Sequence, residues 1–373
     1  MAKERVVSRA RVCARVCACA RARARNARAR HVMSIRHDMS VANNSHTKTR
    51  IMSYLDTTKN VYREAALKPD VGLCCTTSPI WQLPELSIPK RMLEMNYGCG
   101  TTVHPRDLAN EPRVLYVGVG GGMELLQFAW FTRRPDSVVG IDPVEEMIEA
   151  CGQNLAKAEE ENPWFDRKFV SLHKGDALDL PVEDESIDVA AQNCLFNIFE
   201  TAELKKALAE VYRTLKPHGR LVMSDPICED PMPEKLRRDE RLRALCLSGA
   251  LPLQEYLKMI TDTGFGTVEI RARRPYRILA APEYDTPQPI YIESVEICAI
   301  KDPMPEDGPC VFTGKAAIYY GTNKYFDDGK GHVLLPNQPL AVCDKTAAAL
   351  AALGRPDIFI SPSTWFYDGG GCC

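Results

Sequence analysis

Four cysteines, Cys75, Cys99, Cys194 and Cys246, bracket a glycine-rich loop, Val114-Leu-Tyr-Val-Gly-Val-Gly-Gly-Gly-Met123. A thiolate is a soft, polarizable ligand, and soft ligands select thiophilic atoms over hard cations. Glycines between a strand and a helix bring backbone N–H groups to a ligand without Cβ obstruction. Together these residues predict an enzyme that holds a thiophilic atom beside an activated, nucleotide-type cofactor. Zinc is the usual occupant of clustered thiols, but its signature pairs two ligands within a short C-x-x-C-type step. No two of these four stand that close. Dispersed thiolates that converge on one point fit a three-coordinate soft metalloid at least as well.

Gly118, Gly120 and Gly122 stand as G-x-G-x-G, whereas a dinucleotide fingerprint would need its third glycine at the position of Met123. The observed spacing is common in S-adenosylmethionine methyltransferases, whose cofactor has no pyrophosphate and needs close approach for its methionine part. Next, Val138-Val-Gly-Ile-Asp142 puts Asp142 at the end of a second strand, where an acid accepts hydrogen bonds from the ribose hydroxyls. Lys174-Gly-Asp-Ala177 follows a third strand and looks like an adenine-binding turn, with Asp176 facing the exocyclic amine and Ala177 beside it. Alone, each aspartate reads equally as a helix cap or turn former; three pieces in order define a cofactor site. One position departs from the pattern. An acid usually stands two residues before the first glycine, and here that residue is Tyr116, with Glu124 available to compensate.

These pieces need elements to position them. Residues 113–225 alternate between strands, over 114–117, 137–141, 168–173, 187–192 and 220–224, and helices, over 123–131, 144–158 and 203–215. A Lys216-Pro-His-Gly219 turn precedes the last strand. This order implies an α/β domain, a mostly parallel sheet with helices on both faces. The carboxyl ends of such strands line the ligand crevice. Cys194, directly after the fourth strand in Gln192-Asn-Cys-Leu-Phe-Asn197, therefore lies near the cofactor by topology. The competing reading is a buried free cysteine, among the commonest core residues. Cys246, in Arg243-Ala-Leu-Cys-Leu-Ser-Gly-Ala-Leu-Pro252, reads by itself as core. Cys74-Cys75 and Cys99 lie in an arm divided by Pro79, Pro84, Pro89 and Pro105, after a helix over 57–67. The glycines flanking Cys99 let a thiolate turn toward a ligand. Residues 232–264 read as helical, and after 290 short strands over 311–312, 316–320 and 333–335 mark a small C-terminal unit.

From Tyr62 to Gly266 the ordered set of Cys-Cys-Thr, Tyr-Gly-Cys-Gly, the cofactor motifs, Asn-Cys and Cys-Leu-Ser-Gly-Ala resembles the arsenite S-adenosylmethionine methyltransferases. Val71-Gly-Leu-Cys-Cys-Thr-Thr together with Tyr116 most resembles the branch linked to arsenosugar biosynthesis. The resemblance implies a class I methyltransferase-like fold with an N-terminal arm and a small C-terminal α+β unit. It implies S-adenosylmethionine as cofactor, held by Gly118, Gly120, Gly122, Asp142, Asp176 and Ala177. It further implies that Cys194 and Cys246 bind As(III) in the later methylation steps with Cys99 as third ligand. Cys75, or Cys74, then pairs with Cys99 as a redox or ligand-exchange thiol. Arsenite or its glutathione conjugate is the implied acceptor, thioredoxin or glutathione the reductant, and the protein a monomer. No general base is required, since the attacking arsenic lone pair carries no proton, and the sequence shows no Ser/His/Asp or paired-acid constellation. Two other readings stay open: a methyltransferase for an organic acceptor with structural cysteines, and a non-catalytic thiol module binding zinc or arsenic.

The whole chain supplies the bounds. With 373 residues, 45% of them hydrophobic and 26% charged, it reads as a soluble globular protein of two or three packed units. A net charge of -2 gives no reason to expect nucleic acid or an anionic membrane as partner. No apolar run approaches the roughly 18 residues of a membrane span. Fifteen cysteines without a secretory signal point to reduced thiols in an intracellular, cytoplasmic enzyme. Residues 1–31 carry nine arginines against the single acid Glu4, and such a stretch cannot bury a core. It reads either as an organelle transit peptide or as a low-complexity extension ahead of Met33 or Met39. The expected organisation is a disordered extension over 1–49, the cysteine arm over 50–112 and the cofactor domain over 113–225. A helical arsenic-binding region with a following strand covers 226–289, and an accessory unit covers 290–373, ending in the flexible dithiol Cys372-Cys373. Cys151, Cys228, Cys298, Cys310 and Cys343 read as core or surface thiols.

Overall fold

The structure, a computed structural model, describes residues 53–70, 73 and 82–364. The Arg-rich stretch, Cys74, Cys75 and the Cys372-Cys373 tail lie outside the described residues. In chain order the elements are α1 (Tyr54–Leu67), α2 (Lys90–Glu94), β1 (Val114–Val117), α3 (Met123–Thr132), β2 (Val138–Asp142), α4 (Glu145–Glu161), β3 (Val170–Lys174) and β4 (Ile187–Asn193). There follow α5 (Thr201–Thr214), β5 (Leu215–Cys228), α6 (Glu234–Arg237), α7 (Glu240–Ala244), β6 (Leu251–Pro252), α8 (Leu253–Asp262), β7 (Thr267–Leu279), α9 (Ala281–Tyr284) and β8 (Ile290–Ile300). The C-terminal part adds β9 (Cys310–Phe312), β10 (Ala316–Tyr319), β11 (Phe326–Asp327), β12 (Val333–Leu334), β13 (Leu340–Ala341), α10 (Asp344–Ala352) and β14 (Ile358–Ile360).

The central sheet has the order β3-β2-β1-β4-β5-β8-β7-β9, with β6 beside β5. From β3 to β5 every pairing is parallel. β1 and β2 are buried along their whole length, which is why they read as unbroken apolar runs and not as alternating ones. One core layer gathers Met92, Leu125, Phe128, Met147 and Leu155 beneath α2, α3 and α4. The other gathers Leu204, Leu208, Val211, Tyr256 and Ile260 beneath α5 and α8. The expected α/β layering with helices on both faces is therefore present. The strand order reverses between β1 and β4, and the crevice outside their carboxyl ends is the place such sheets use for ligands.

Three local expectations are refined. The Lys216-to-Gly219 turn is absorbed into β5: Leu215 pairs with Ile187 and Arg220 with Val189, so the four residues loop out of the ladder. Residues 232–264 are not one helix but α6, α7, β6 and α8, because the Gly249-to-Pro252 segment cannot continue a helix and pairs instead with β5. Finally, β7 and β8 form an antiparallel pair from Thr267 with Ile300 to Leu279 with Ile290, and β8 lies against β5. The change of pattern near residue 290 is thus a switch to antiparallel pairing inside the same sheet. A separate three-stranded sheet, β13-β10-β14, begins only at Ala316 and packs with α10 around Ala317, Tyr319, Leu350 and Val342.

Candidate active site

β1 ends at Val117 and the chain then enters Gly118, Gly120 and Gly122, whose φ angles of 83°, 50° and 87° favour glycine. Gly122 is the N-cap of α3, and its neighbour Gly121 donates to the Met95 carbonyl at 3.2 Å, tying the loop to the end of α2. These residues form one wall of a cleft of about 1000 Å³, including its open mouth.

Asp142 closes β2 on the second wall. Its carboxylate accepts the Val119 N–H at 3.1 Å and the Val144 N–H at 2.9 Å, one on each oxygen, which leaves each oxygen a further lone pair for the cleft. Burial pushes its pKa up to about 7 against the pull of those two N–H groups. Asp176 and Ala177 line the third side. Asp176 accepts the Leu178 N–H at 3.1 Å and faces the Lys59 ammonium at 3.4 Å. Gly118, Gly120, Gly122, Asp142, Asp176 and Ala177 thus share one cleft.

Sequence reasoning missed the roof. Leu55, Thr58, Lys59 and Tyr62 of α1 line the same cleft. The helix is held at its rim by Arg63 to Glu146 of α4 at 2.9 Å and by the Tyr62 hydroxyl to the Ala244 carbonyl at 3.2 Å. The Glu200 N–H adds a bond to the Tyr54 hydroxyl at 3.1 Å.

Glu124 answers the missing acid at Tyr116. It stands in the first turn of α3, is 4% exposed and lines the cleft. One oxygen accepts from the Tyr116 hydroxyl at 2.6 Å and the Asn193 amide at 3.1 Å. The other accepts the Thr102 N–H at 2.8 Å and the Thr101 hydroxyl at 3.3 Å. Burial, and then the Glu124 charge, hold the Tyr116 phenol well above its usual range, so it stays a donor.

Cys194 follows β4 directly, is 2% exposed and lines the cleft. Its φ of 63° is left-handed, as is that of Cys246 at 58°. A side chain in that region costs about 1–2 kcal/mol, so two cysteines held this way are over-determined by their surroundings. For Cys194 these are its own N–H to the Ser224 carbonyl at 2.7 Å and the next N–H, of Leu195, to the Gln192 side chain at 2.9 Å. Gln192 is braced in turn by buried Asp225, which also accepts from the Tyr256 hydroxyl at 2.8 Å. Burial raises Asp225 to about 7. Cys246 sits where α7 gives way to β6, fully buried, and its Sγ donates to the Cys194 carbonyl.

Cys99 reaches the same strand ends from the arm. Asn193 clamps it: the amide oxygen accepts the Cys99 N–H at 3.0 Å and the amide nitrogen donates to the Gly100 carbonyl at 3.0 Å. The flanking glycines are needed for closeness, since a Cβ on Gly98 would meet the Asn193 amide at 2.6 Å and one on Gly100 the Ser224 hydroxyl at 2.3 Å. The Cys99 sulfur lies 3.4 Å from that hydroxyl. Just beyond, Glu296 of β8 accepts the Thr101 N–H at 2.9 Å and the Arg274 guanidinium at 2.7 Å. Burial works to raise Glu296, but His104, Arg274 and Thr101 outweigh it and hold its pKa below the ordinary value.

Cys194, Cys246 and Cys99 are therefore neighbours of one turn: Cys194 bonds to the Ser224 carbonyl, Cys246 to the Cys194 carbonyl, and Cys99 to the Asn193 and Ser224 side chains. Only Cys194 lines the cleft, and among the described residues no three His, Cys, Asp or Glu side chains are gathered closely enough to hold a metal ion. The expected fourth thiol, Cys75, lies outside the described residues. Glu124 was legible as the acid available to compensate for Tyr116, whereas Asn193 was legible only as a polar residue at a strand end and Asp225 only as an acid at a strand's carboxyl end.

Comparison with known proteins places this geometry. Residues 115–223 match the methyltransferase domain family. The arsenite methyltransferase of Halobacterium salinarum is 30% identical over 177 residues, covering 48% of this chain and 43% of that protein. That of Aquipseudomonas alcaligenes is 30% identical over 208 residues, covering 55% and 59%. The chain thus spans about half the length of the curated relatives it matches. Among solved structures, the arsenic(III) S-adenosylmethionine methyltransferase of Chlamydomonas reinhardtii superposes with a TM-score of 0.51 at 22% identity, over 73% of this chain and 92% of that one. That likeness is one of fold, and it extends beyond the domain core. The chain thus carries a methyltransferase domain on a class I methyltransferase-like sheet, and in sequence it is similar to arsenite methyltransferases.

Proposed function

We propose that this protein is an enzyme that moves methyl groups from S-adenosylmethionine to trivalent arsenic bound by its own cysteines. The observation that carries the reading is the position of Cys194. It is held in a left-handed turn at the end of β4 and opens onto the cleft that also contains the glycine loop and Asp142.

The residues present suit the cofactor. The unobstructed N–H groups of the glycine loop accommodate its methionine portion, the spare lone pairs of Asp142 suit a ribose diol, and Asp176 with Ala177 suits an adenine edge. When bound, the cofactor supplies an electrophilic sulfonium methyl. The chain's own residues do the rest. The turn at Cys194 aims a soft sulfur toward the cleft, Cys246 stands against its carbonyl, and Asn193 fixes Cys99 beside both. Thiolates on arsenic raise its electron density, and holding such an acceptor in line with a methyl accounts for a large share of catalysis. The roof formed by α1 keeps bulk water from the reacting centre.

Cys75 or Cys74 is assigned to exchange with Cys99, and the acceptor to arsenite or its glutathione conjugate. Thioredoxin or glutathione is assigned as reductant, with the protein a cytoplasmic monomer. Among the described residues no helix is long and apolar enough to cross a membrane. The cysteine arm, the region carrying Cys246 and the part beyond residue 290 keep the roles assigned to them as expectations above.

Arsenite-dependent methyl transfer by purified protein tests the proposal. Cys194→Ser and Cys246→Ser should each lower the rate on the order of 100-fold or more, the scale of a misplaced reacting group, while S-adenosylmethionine still binds. Unchanged rates in both variants would defeat the thiolate-ligand mechanism. Methylation of an organic acceptor with no dependence on arsenite would replace it.

A further inference from the structure

Outside the cleft two further thiols stand near one another, where β9 packs on the start of α10. Cys310 opens β9, the strand that ends the central sheet, and pairs with Thr267 of β7. Cys343 is the N-cap of α10, and its side chain caps no backbone N–H there. Burial and the neighbouring Cys343 thiol push the Cys310 thiol up, and the Lys345 ammonium pulls it down. Lys345 is itself fixed by Asp307 and the Gly308 carbonyl. On its other side the Cys343 sulfur lies 3.2 Å from the Thr346 hydroxyl, which lies 3.5 Å from His332 Nε2. His332 Nδ1 is 2.7 Å from Asp328 Oδ2. Cys310 is partly exposed, Cys343 is buried, and neither is bridged.

A packing role would be served by any two small apolar side chains. Here an ammonium stands beside one thiol, a helix N-terminus beside the other, and an Asp–His pair reaches the second through a hydroxyl. The ammonium opposes the burial that raises Cys310, and the Asp–His pair offers Cys343 a proton route.

We propose that Cys310 and Cys343 form a redox-active dithiol that is oxidised by small-molecule disulfides, such as oxidised glutathione, to an intrachain disulfide tying the last strand of the central sheet to α10. The more exposed Cys310, as thiolate, attacks one sulfur of oxidised glutathione. The S–S bond breaks, a mixed disulfide forms on Cys310, and one glutathione leaves as thiolate. The Cys343 proton passes through the Thr346 hydroxyl to His332 Nε2. The Cys343 sulfur then attacks Cys310 Sγ and expels the second glutathione as thiolate. Two protein thiols are oxidised by two electrons, and one glutathione disulfide is reduced to two glutathione molecules. Burial, and then Cys343, hold the Cys310 thiol above its ordinary value, with Lys345 opposing. The reaction therefore accelerates as pH rises through the thiol range.

The experiment is to incubate the full chain in mixtures of oxidised and reduced glutathione and alkylate the remaining thiols. After digestion, the cysteine peptides are identified by mass spectrometry. A peptide joining Cys310 to Cys343 is expected in the unmodified chain. Cys343→Ser should instead accumulate glutathione on Cys310, and His332→Asn should move the pH dependence of ring closure upward, which a packing role would not do. Separate alkylation of Cys310 and Cys343 at every ratio would overturn the proposal. So would a lasting glutathione adduct on Cys310 of the unmodified chain, or none in Cys343→Ser. An unmoved pH dependence in His332→Asn would remove the proton route.

Discussion

The left-handed backbone at Cys194 and Cys246 inverts an ordinary ranking of substitutions. Elsewhere glycine destabilises an ordered segment by roughly 0.5–1 kcal/mol relative to alanine. At a φ of 63° or 58° the Cβ itself carries the penalty, so glycine should be tolerated better than alanine, by about 1 kcal/mol. Urea unfolding of Cys194→Gly against Cys194→Ala measures the difference, and the usual order would mean that the turn relaxes when the thiol is removed. Both variants are expected to be inactive on arsenite, which separates a thiol's chemical role from its structural one. Asp142 makes a second prediction. Its pKa, raised from an ordinary carboxylate value to about 7 by burial, means that the folded state keeps a proton the unfolded chain has lost. Its contribution to stability is therefore fully present below about pH 4, the range of a free aspartate, and fades as pH rises through 7. Cofactor affinity runs the other way, since a ribose diol needs the ionised acceptor. The S-adenosylmethionine dissociation constant should fall from pH 6 to pH 8, and Asp142→Asn should flatten that profile.

Among the elements, α1 is the one whose attachment is weakest relative to its position. It roofs the cleft, yet Arg63 to Glu146 and Lys59 to Asp176 are partly exposed pairs, a class worth about 0–1 kcal/mol each. The β1 and β4 strands beneath it are almost wholly buried and bonded on both sides. Amides of α1 should therefore exchange hydrogen far faster than those of β1 and β4, and slow when S-adenosylmethionine is added. Exchange as slow as that of the sheet in the ligand-free protein would show a fixed wall in place of a cover. Lys59→Ala should weaken cofactor binding only severalfold, since it removes one screened contact to Asp176.

For the molecule as a whole, β8 is the structural hinge between domain and extension. It lies between β5 and β7, and its Glu296 reaches the arm that carries Cys99. Ending the chain before Ile290 should leave β7 unpaired and one edge of β5 open, and give insoluble protein. Ending it shortly after Phe312 preserves the nine-stranded sheet and should retain cofactor binding; loss of solubility there as well would show that the C-terminal sheet is needed for folding. The same contrast explains what could be read in advance. The glycine loop, Asp142, Asp176 and Cys194 belong to local grammar: a strand, a turn, and the residue at a strand's carboxyl end. β8 and β9 depend on partners far away in the chain, and an apolar run does not name its partner. The roof role of α1 was invisible for the same reason, although the helix itself was expected over 57–67. The clamp by Asn193 was hidden by scale, because one amide spanning Cys99 and Gly100 leaves no periodic trace.

Glu124 touches both halves of the proposed reaction. Tyr116 and the cleft bind it from the cofactor side, and Thr101 and Thr102 bind it from the segment that carries Cys99. A single saturated carboxylate thus serves as a shared account for two ligands. Whatever tightens its bonds on one side changes what remains for the other, so if the proposed reaction holds, the affinities for cofactor and for arsenic are expected to be linked by a coupling free energy that works equally in both directions.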